Sequence, residues 1–126
     1  MKLDDGQLSP WFLFAKKMVD TPKVVFTKTL DESPWANTML AKGDFVEEVN
    51  CLKNQTGKDI LAYGGADFVS SLIKENLIDE YNLIINPTAI GRGMTLFGKL
   101  EDKTLSLKLN RSQSYNCGIV FNTYLK

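Results

Sequence analysis

Apolar positions along this chain change their spacing in blocks, and each block predicts an element. The first ten residues, MKLDDGQLSP, are polar and punctuated by glycine and proline, so they read as an irregular lead-in. Trp11 to Asp20 predicts a short helix entered through Ser9-Pro10, because proline suits a first helical turn. Trp11, Phe12 and Phe14 crowd three aromatic rings into its start, where they either plug a core or else meet another subunit or stand in for something absent. After Thr21-Pro22, the run Val24-Val25-Phe26 within KVVFTKTL predicts a strand covered on both faces. DESPWANTMLAKGD reads as a loop with a brief extended piece at Thr38 to Ala41.

Asp44 is placed to cap a helix in which Phe45, Val46, Val49 and Leu52 share one face. Glu47, Glu48 and Lys53 lie outside that face, and Gly57 closes the segment. DILAY, Asp59 to Tyr63, predicts a second buried strand, which stops at Gly64-Gly65. Phe68, Val69, Leu72 and Ile73 then recur at helical spacing as far as Asn76. YNLIINPTAI predicts a third strand broken by Pro87, and GRGMTLFG a glycine-rich loop. TLSLKLNRSQ and GIVFNTYLK alternate as an antiparallel pair does. The order implies one α/β domain over residues 1–126, parallel in its first part and antiparallel at its C-terminal end.

Composition narrows the function classes. With 126 residues, 44% hydrophobic and 24% charged, the chain is an ordinary candidate for a globular protein. Its 15 cationic and 15 anionic side chains cancel, so no global field draws nucleic acid or an anionic membrane. No apolar stretch reaches the roughly 18 residues of a membrane span, and no signal peptide is evident. A cytoplasmic protein is expected, with Cys51 and Cys117 as two free thiols. The chain has no histidine. That removes histidine acid–base chemistry and Ser-His-Asp or Cys-His catalysis, and leaves no basis for a zinc site.

Two stretches carry candidate chemistry. Gly64-Gly65 sits between a predicted strand and a helix N-terminus, where free N–H groups and the helix dipole favour an anion. Asp67 in the first turn repels a nearby phosphate unless it points away. YGGADF lacks the G-x-G-x-x-G spacing, and no Gly-Lys-Ser/Thr follows, so the pair by itself reads as a plain turn sooner than as a phosphate site. Thr27, Lys28 and Thr29 at the end of the first strand offer two hydroxyls and a cation, or else a solvated strand end.

Taken in order, PKVVFTKTL, LAKGDFVEEVNCLKNQTGKDILAYGGADFVSSLIKENLIDEYNLIINPTAIGRGMTLF and GIVFNTYL resemble the dihydrofolate reductase-like family. The branch is that of the C-terminal reductase domain of bacterial riboflavin biosynthesis (RibD), and the resemblance runs from about Phe14 to the end. It implies a mixed sheet flanked by helices, NADPH as cofactor, and hydride transfer to a pterin or a pyrimidine riboside phosphate. By resemblance, Gly64, Gly65 and Ala66, leading into Asp67 and Phe68, match the pyrophosphate turn. Thr27, Lys28 and Thr29 match the strand end that meets the adenosine ribose and its 2′-phosphate, and Tyr63 falls near the nicotinamide. Gly91, Arg92 and Gly93 shape a rim on the substrate side. No proton donor is identified.

One departure accompanies the match. Family chains begin with a central strand carrying a Ser-Leu-Asp-Gly-like stretch, followed by a helix opening with Gly-Arg and a hydroxyl residue. MKLDDGQLSPW supplies neither, and Leu3 to Gly6 echo the stretch only faintly. The chain therefore reads as the last two-thirds of the family fold, truncated at the N-terminus. Missing strands leave apolar faces and backbone groups to be covered, so a homo-oligomer, a dimer first, or a local rearrangement is expected. The alternative function is a non-catalytic nucleotide-binding or interaction module of the same fold.

Overall fold

The computed structural model describes residues 10–126; the lead-in through Ser9, with Leu3 to Gly6, lies outside them. The chain forms two compact units, divided between Cys51 and Leu52.

In the first unit, α1 (Pro10–Asp20) starts on proline as expected. Its C-terminus is closed by Lys23, whose ammonium donates to the carbonyls of Met18, Val19 and Thr21, each at 2.8 Å. A cation there also complements the helix dipole. None of its residues is buried, and Trp11 is 81% exposed. Among the described residues of this unit, the aromatic cluster is therefore not enclosed in a core.

β1 (Lys23–Phe26) pairs in parallel with β2 (Thr38–Ala41), Lys23 facing Thr38 and Phe26 facing Ala41. The four residues of β1 are half-buried rather than enclosed on both faces. α2 (Phe45–Lys53) begins where Asp44 predicts: the Asp44 carboxylate accepts the Glu47 N–H at 3.0 Å, satisfying one of the orphan donors of a first turn. Phe45, Val46, Val49 and Leu52 are all half-buried, and the Phe45 ring meets Phe26 edge-on at 5.3 Å. The helix ends at Lys53, so Gly57 does not close it.

In the second unit, the segment predicted as a strand at Asp59 to Tyr63 is not one. No strand pairs with it among the described residues, and Ile60, Leu61 and Tyr63 are 58%, 74% and 75% exposed. A strand exists only through its ladder partner, and apolar spacing cannot supply one. α3 (Ala66–Lys74) follows directly and buries Ser70, Leu72 and Ile73. It stops as predicted, at Asn76 in the left-handed region (φ 56). Asn76 N–H donates to Ile73 and Leu77 N–H to Leu72, both at 3.0 Å, the pair of bonds that closes a helix in a Schellman motif.

β3 (Glu80–Ile85), β4 (Lys108–Ser114) and β5 (Val120–Leu125) make an antiparallel sheet in the order β3-β5-β4. The pairing begins at Lys108, leaving Thr104 to Leu107 outside the strand. An ionic staple ties the sheet's end to the turn after α3. Lys53 reaches Asp79 at 2.8 Å and the Leu77 carbonyl at 3.0 Å. Lys126 N–H donates to the Asp79 carbonyl at 3.1 Å, and its ammonium to the Asn76 carbonyl at 3.1 Å.

Candidate functional site

The two glycines before α3 are there for different reasons. A Cβ on Gly64 would lie 2.9 Å from the Phe68 ring, so packing alone requires glycine. At Gly65, among the described residues and apart from its own chain neighbours, nothing lies within 4 Å of the position a Cβ would take. Gly65 is the N-cap of α3 in an ordinary extended conformation (φ −65, ψ 164), and no side chain caps the helix. The first turn thus opens onto free space, where its donors and the helix dipole favour an anion.

Asp67 is answered within the same unit. Lys99 pairs with its carboxylate at 2.7 Å and also donates to the Asp67 carbonyl and to Ser71 Oγ, at 3.1 and 2.8 Å. Asp67 is largely solvated and Lys99 half-buried, so the pair adds little to stability. Its value is local, since it offsets a negative charge beside the turn. Ser70, buried on the same helix, sets its hydroxyl 2.8 Å from the Leu96 carbonyl and 2.5 Å from that of Ala66. Lys99 and Ser70 together moor the glycine-rich loop and the 3-10 turn Gly98–Leu100 to α3.

That loop carries Gly91 to Gly93. Gly91 has φ +67, and across it the Arg92 N–H donates to the Ile90 carbonyl at 2.7 Å. This is the rarer, positive-φ form of the three-residue turn, and glycine adopts it without strain. Arg92 is exposed, and its guanidinium has no hydrogen bond or ion pair among the described residues. Behind the loop, the Tyr81 ring lies 6.4 Å from Phe97. Burial pushes the Tyr81 phenol pKa up, with Asp79 adding to the shift, and its oxygen has no hydrogen-bond partner among the described residues. Asp79 is displaced the other way: the Lys53 hydrogen bond holds its carboxyl below the ordinary value.

Thr27, Lys28 and Thr29 lie in the first unit, while Tyr63 to Phe68 and Gly91 to Gly93 lie in the second. The Thr27 hydroxyl accepts the N–H groups of Thr29 and Leu30 at 3.2 Å. It folds the chain out of β1, as threonine does in turns. Lys28 is exposed and makes no ion pair or hydrogen bond among the described residues. Within the second unit the structure joins the glycine turn to the glycine-rich loop through Ser70 and Lys99, which sequence reasoning missed. Ser70 left a faint signal, a hydroxyl between apolar positions of one helix. Lys99 left none, because its partner is 32 residues away.

Among the described residues, no helix is long and apolar enough to cross a membrane. Comparison with known proteins assigns the fold. The family model of the RibD C-terminal domain matches residues 4–121, starting before Phe14, where the resemblance begins. YyaP of Bacillus subtilis (strain 168), an uncharacterized protein, is 34% identical over 102 residues, 81% of this chain. YwjB of the same organism, also uncharacterized, is 34% identical over 64 residues, 51% of this chain. The matched stretches span 53% and 36% of those two relatives, so this chain covers about half or less of their length.

A crystal structure of a protein of Shewanella sp. PV-4 named for riboflavin biosynthesis superposes with a TM-score of 0.69 and 27% identity. It covers 92% of this chain and 70% of that one. A pyrimidine reductase-like protein of Corynebacterium diphtheriae shares the fold at 19% identity and a TM-score of 0.56, over 81% of this chain and 48% of its own. From the fold, the ordered motifs and the family match across most of its length, this chain belongs to the RibD C-terminal domain family.

Proposed function

We propose that the chain is an NADPH-dependent reductase-family protein acting on a pterin or pyrimidine-type substrate. The observation that carries this reading is Gly65: an uncapped helix start, open to solvent, at a position where no packing demands glycine. Glycine there keeps the backbone N–H groups accessible to a diphosphate. Within the second unit the residues present fit the diphosphate of that group. Gly64, Gly65 and Ala66 would hold the pyrophosphate, with the Asp67 charge offset by Lys99. Lys28, with Thr27 and Thr29, would serve the adenosine ribose and its 2′-phosphate. NADPH, when bound, supplies the hydride, which is why a chain without histidine can belong to a reductase family. The substrate-side rim is Gly91 to Gly93, with Arg92 as its free cation.

A second reading, a nucleotide-binding or interaction module without catalysis, is favoured by Asp59 to Tyr63. The segment leading into the glycine turn, Tyr63 included, is solvent-exposed rather than paired in a sheet. Calorimetric titration with NADPH, followed by turnover assays on pterin and pyrimidine riboside substrates, separates the two readings. The key variant is Gly65→Asp. Aspartate is a good N-cap, so it should hold or raise stability while placing a carboxylate where the diphosphate goes. Saturable NADPH binding that Gly65→Asp abolishes and Lys28→Ala weakens supports the assigned site. Binding without turnover selects the module, and an absence of saturable binding in the wild type rejects the cofactor assignment.

A further inference from the structure

Asp44 and Asp67 each place a carboxylate at the start of a helix, and the two are used differently. The Asp44 carboxylate turns inward and accepts the Glu47 N–H of α2 at 3.0 Å. The Asp67 carboxylate, in the first turn of α3, meets the Lys99 ammonium at 2.7 Å. An ammonium has three protons to donate. Lys99 gives the other two to the Asp67 carbonyl at 3.1 Å and to Ser71 Oγ at 2.8 Å. Ser71 Oγ is free to accept because its own proton goes to the Asp67 carbonyl, 3.0 Å away. Asp67 and Ser71 are four residues apart and so lie on one face of the helix. The ammonium that bridges them sits beside α3 and has no proton left for an anion at the helix start.

We propose that Lys99 is a positioning residue of the diphosphate turn: it holds the Asp67 carboxylate along the flank of α3 and so keeps the helix start open to an anion. The inference rests on the cofactor reading above and adds to it a residue from outside the turn. A first-turn carboxylate left to itself is drawn to the positive end of its helix. There it opposes an incoming anion twice. It accepts N–H groups that the anion would use, and it repels the anion's charge. Lys99 removes both obstacles without touching the diphosphate, because it acts through Asp67. Its own place is fixed by the 3-10 turn Gly98–Leu100, which packs against α3 in the same unit.

The test is a double-mutant cycle on the full chain, combining Lys99→Met with Asp67→Asn. Without any ligand, amide NMR reports on the helix start. Lys99→Met should move the Ala66 and Phe68 amide resonances while residue 67 is aspartate, and move them little in the Asp67→Asn background. In calorimetric titration, Lys99→Met should weaken NADPH binding roughly fivefold, the effect of one added charge at close range in water. Adding Asp67→Asn should restore the wild-type affinity. If Lys99 only braces the loop, the loss is the same in both backgrounds, and that result overturns the proposal. Amides that respond to Lys99→Met equally in both backgrounds, or not at all, overturn it too. A wild type that binds no NADPH while its amides follow the expected cycle overturns the cofactor reading and supports the placement of Asp67 by Lys99.

Discussion

Two neighbouring stretches of the second unit both carry an apolar pattern and meet opposite fates. Asp59 to Tyr63 holds Ile60, Leu61 and Tyr63, all mostly exposed. Beyond the glycine turn, α3 holds Leu72 and Ile73, 5% and 2% exposed. A helix satisfies its own backbone and needs only a surface on which to lay its apolar face. A strand needs another strand before its hydrogen bonds exist at all. Apolar pattern therefore suffices for α3 and fails for Asp59 to Tyr63.

Ile73→Ala is the strongest test of that contrast. It removes the most completely buried large side chain of the described residues, and emptying such a site costs about 2–5 kcal/mol. Urea denaturation should show that loss as a lower midpoint with an unchanged slope. A loss below about 1 kcal/mol would mean that α3 is not the organising element of its unit.

Ser70→Ala comes next. The change takes the hydroxyl from the Ala66 and Leu96 carbonyls while leaving the apolar packing almost untouched. A hydrogen bond of this kind is worth about 1 kcal/mol net. The sharper signature is local: amides of residues 91–97 should exchange faster, while those of β5 stay unchanged. If both regions loosen equally, Ser70 acts through the whole unit rather than as the mooring of one loop.

The same contrast explains what could be read in advance. α1 behind Pro10, α2 behind Asp44 and α3 ending at Asn76 are legible because each boundary is set by residues within a turn of it. β1, β3 and the β4–β5 hairpin were legible because their partners exist. The strand at Asp59 to Tyr63 was overread for want of one. Gly57 was overread because α2 ends at Lys53 without needing it. At the candidate site, the glycine turn and Asp67 stood out in the sequence, but what makes Asp67 compatible with an anion did not. Lys99 arrives there through the fold.

A smaller effect is expected at the staple below the sheet. Lys53 holds the Asp79 carboxyl below its ordinary value of 3.8. A carboxylate with a depressed folded pKa contributes its stability in full above the unfolded value. It loses that contribution as pH falls through the folded one. The staple should therefore hold at neutral pH and weaken below about pH 4. Asp79→Asn should lower stability slightly at neutral pH and flatten the acid limb of the stability curve. An acid limb unchanged by Asp79→Asn would place the acid sensitivity elsewhere.

The smallest expected effect tests the exposed half of the comparison. Leu61 is 74% exposed, so Leu61→Ser removes little buried surface and should change stability by no more than about 0.5 kcal/mol. The same denaturation measurement used for Ile73→Ala decides it. A loss above about 1 kcal/mol would show that Leu61 is covered in solution and that Asp59 to Tyr63 has found a partner after all. Hydrogen exchange then tells the two kinds of cover apart. Slow amides throughout 59–63 mean a ladder has formed, whereas fast amides beside a buried Leu61 mean that only the side chain is packed. If neither appears, the strand pattern of DILAY is a face without a partner, and the glycine turn that follows it rests on α3 alone.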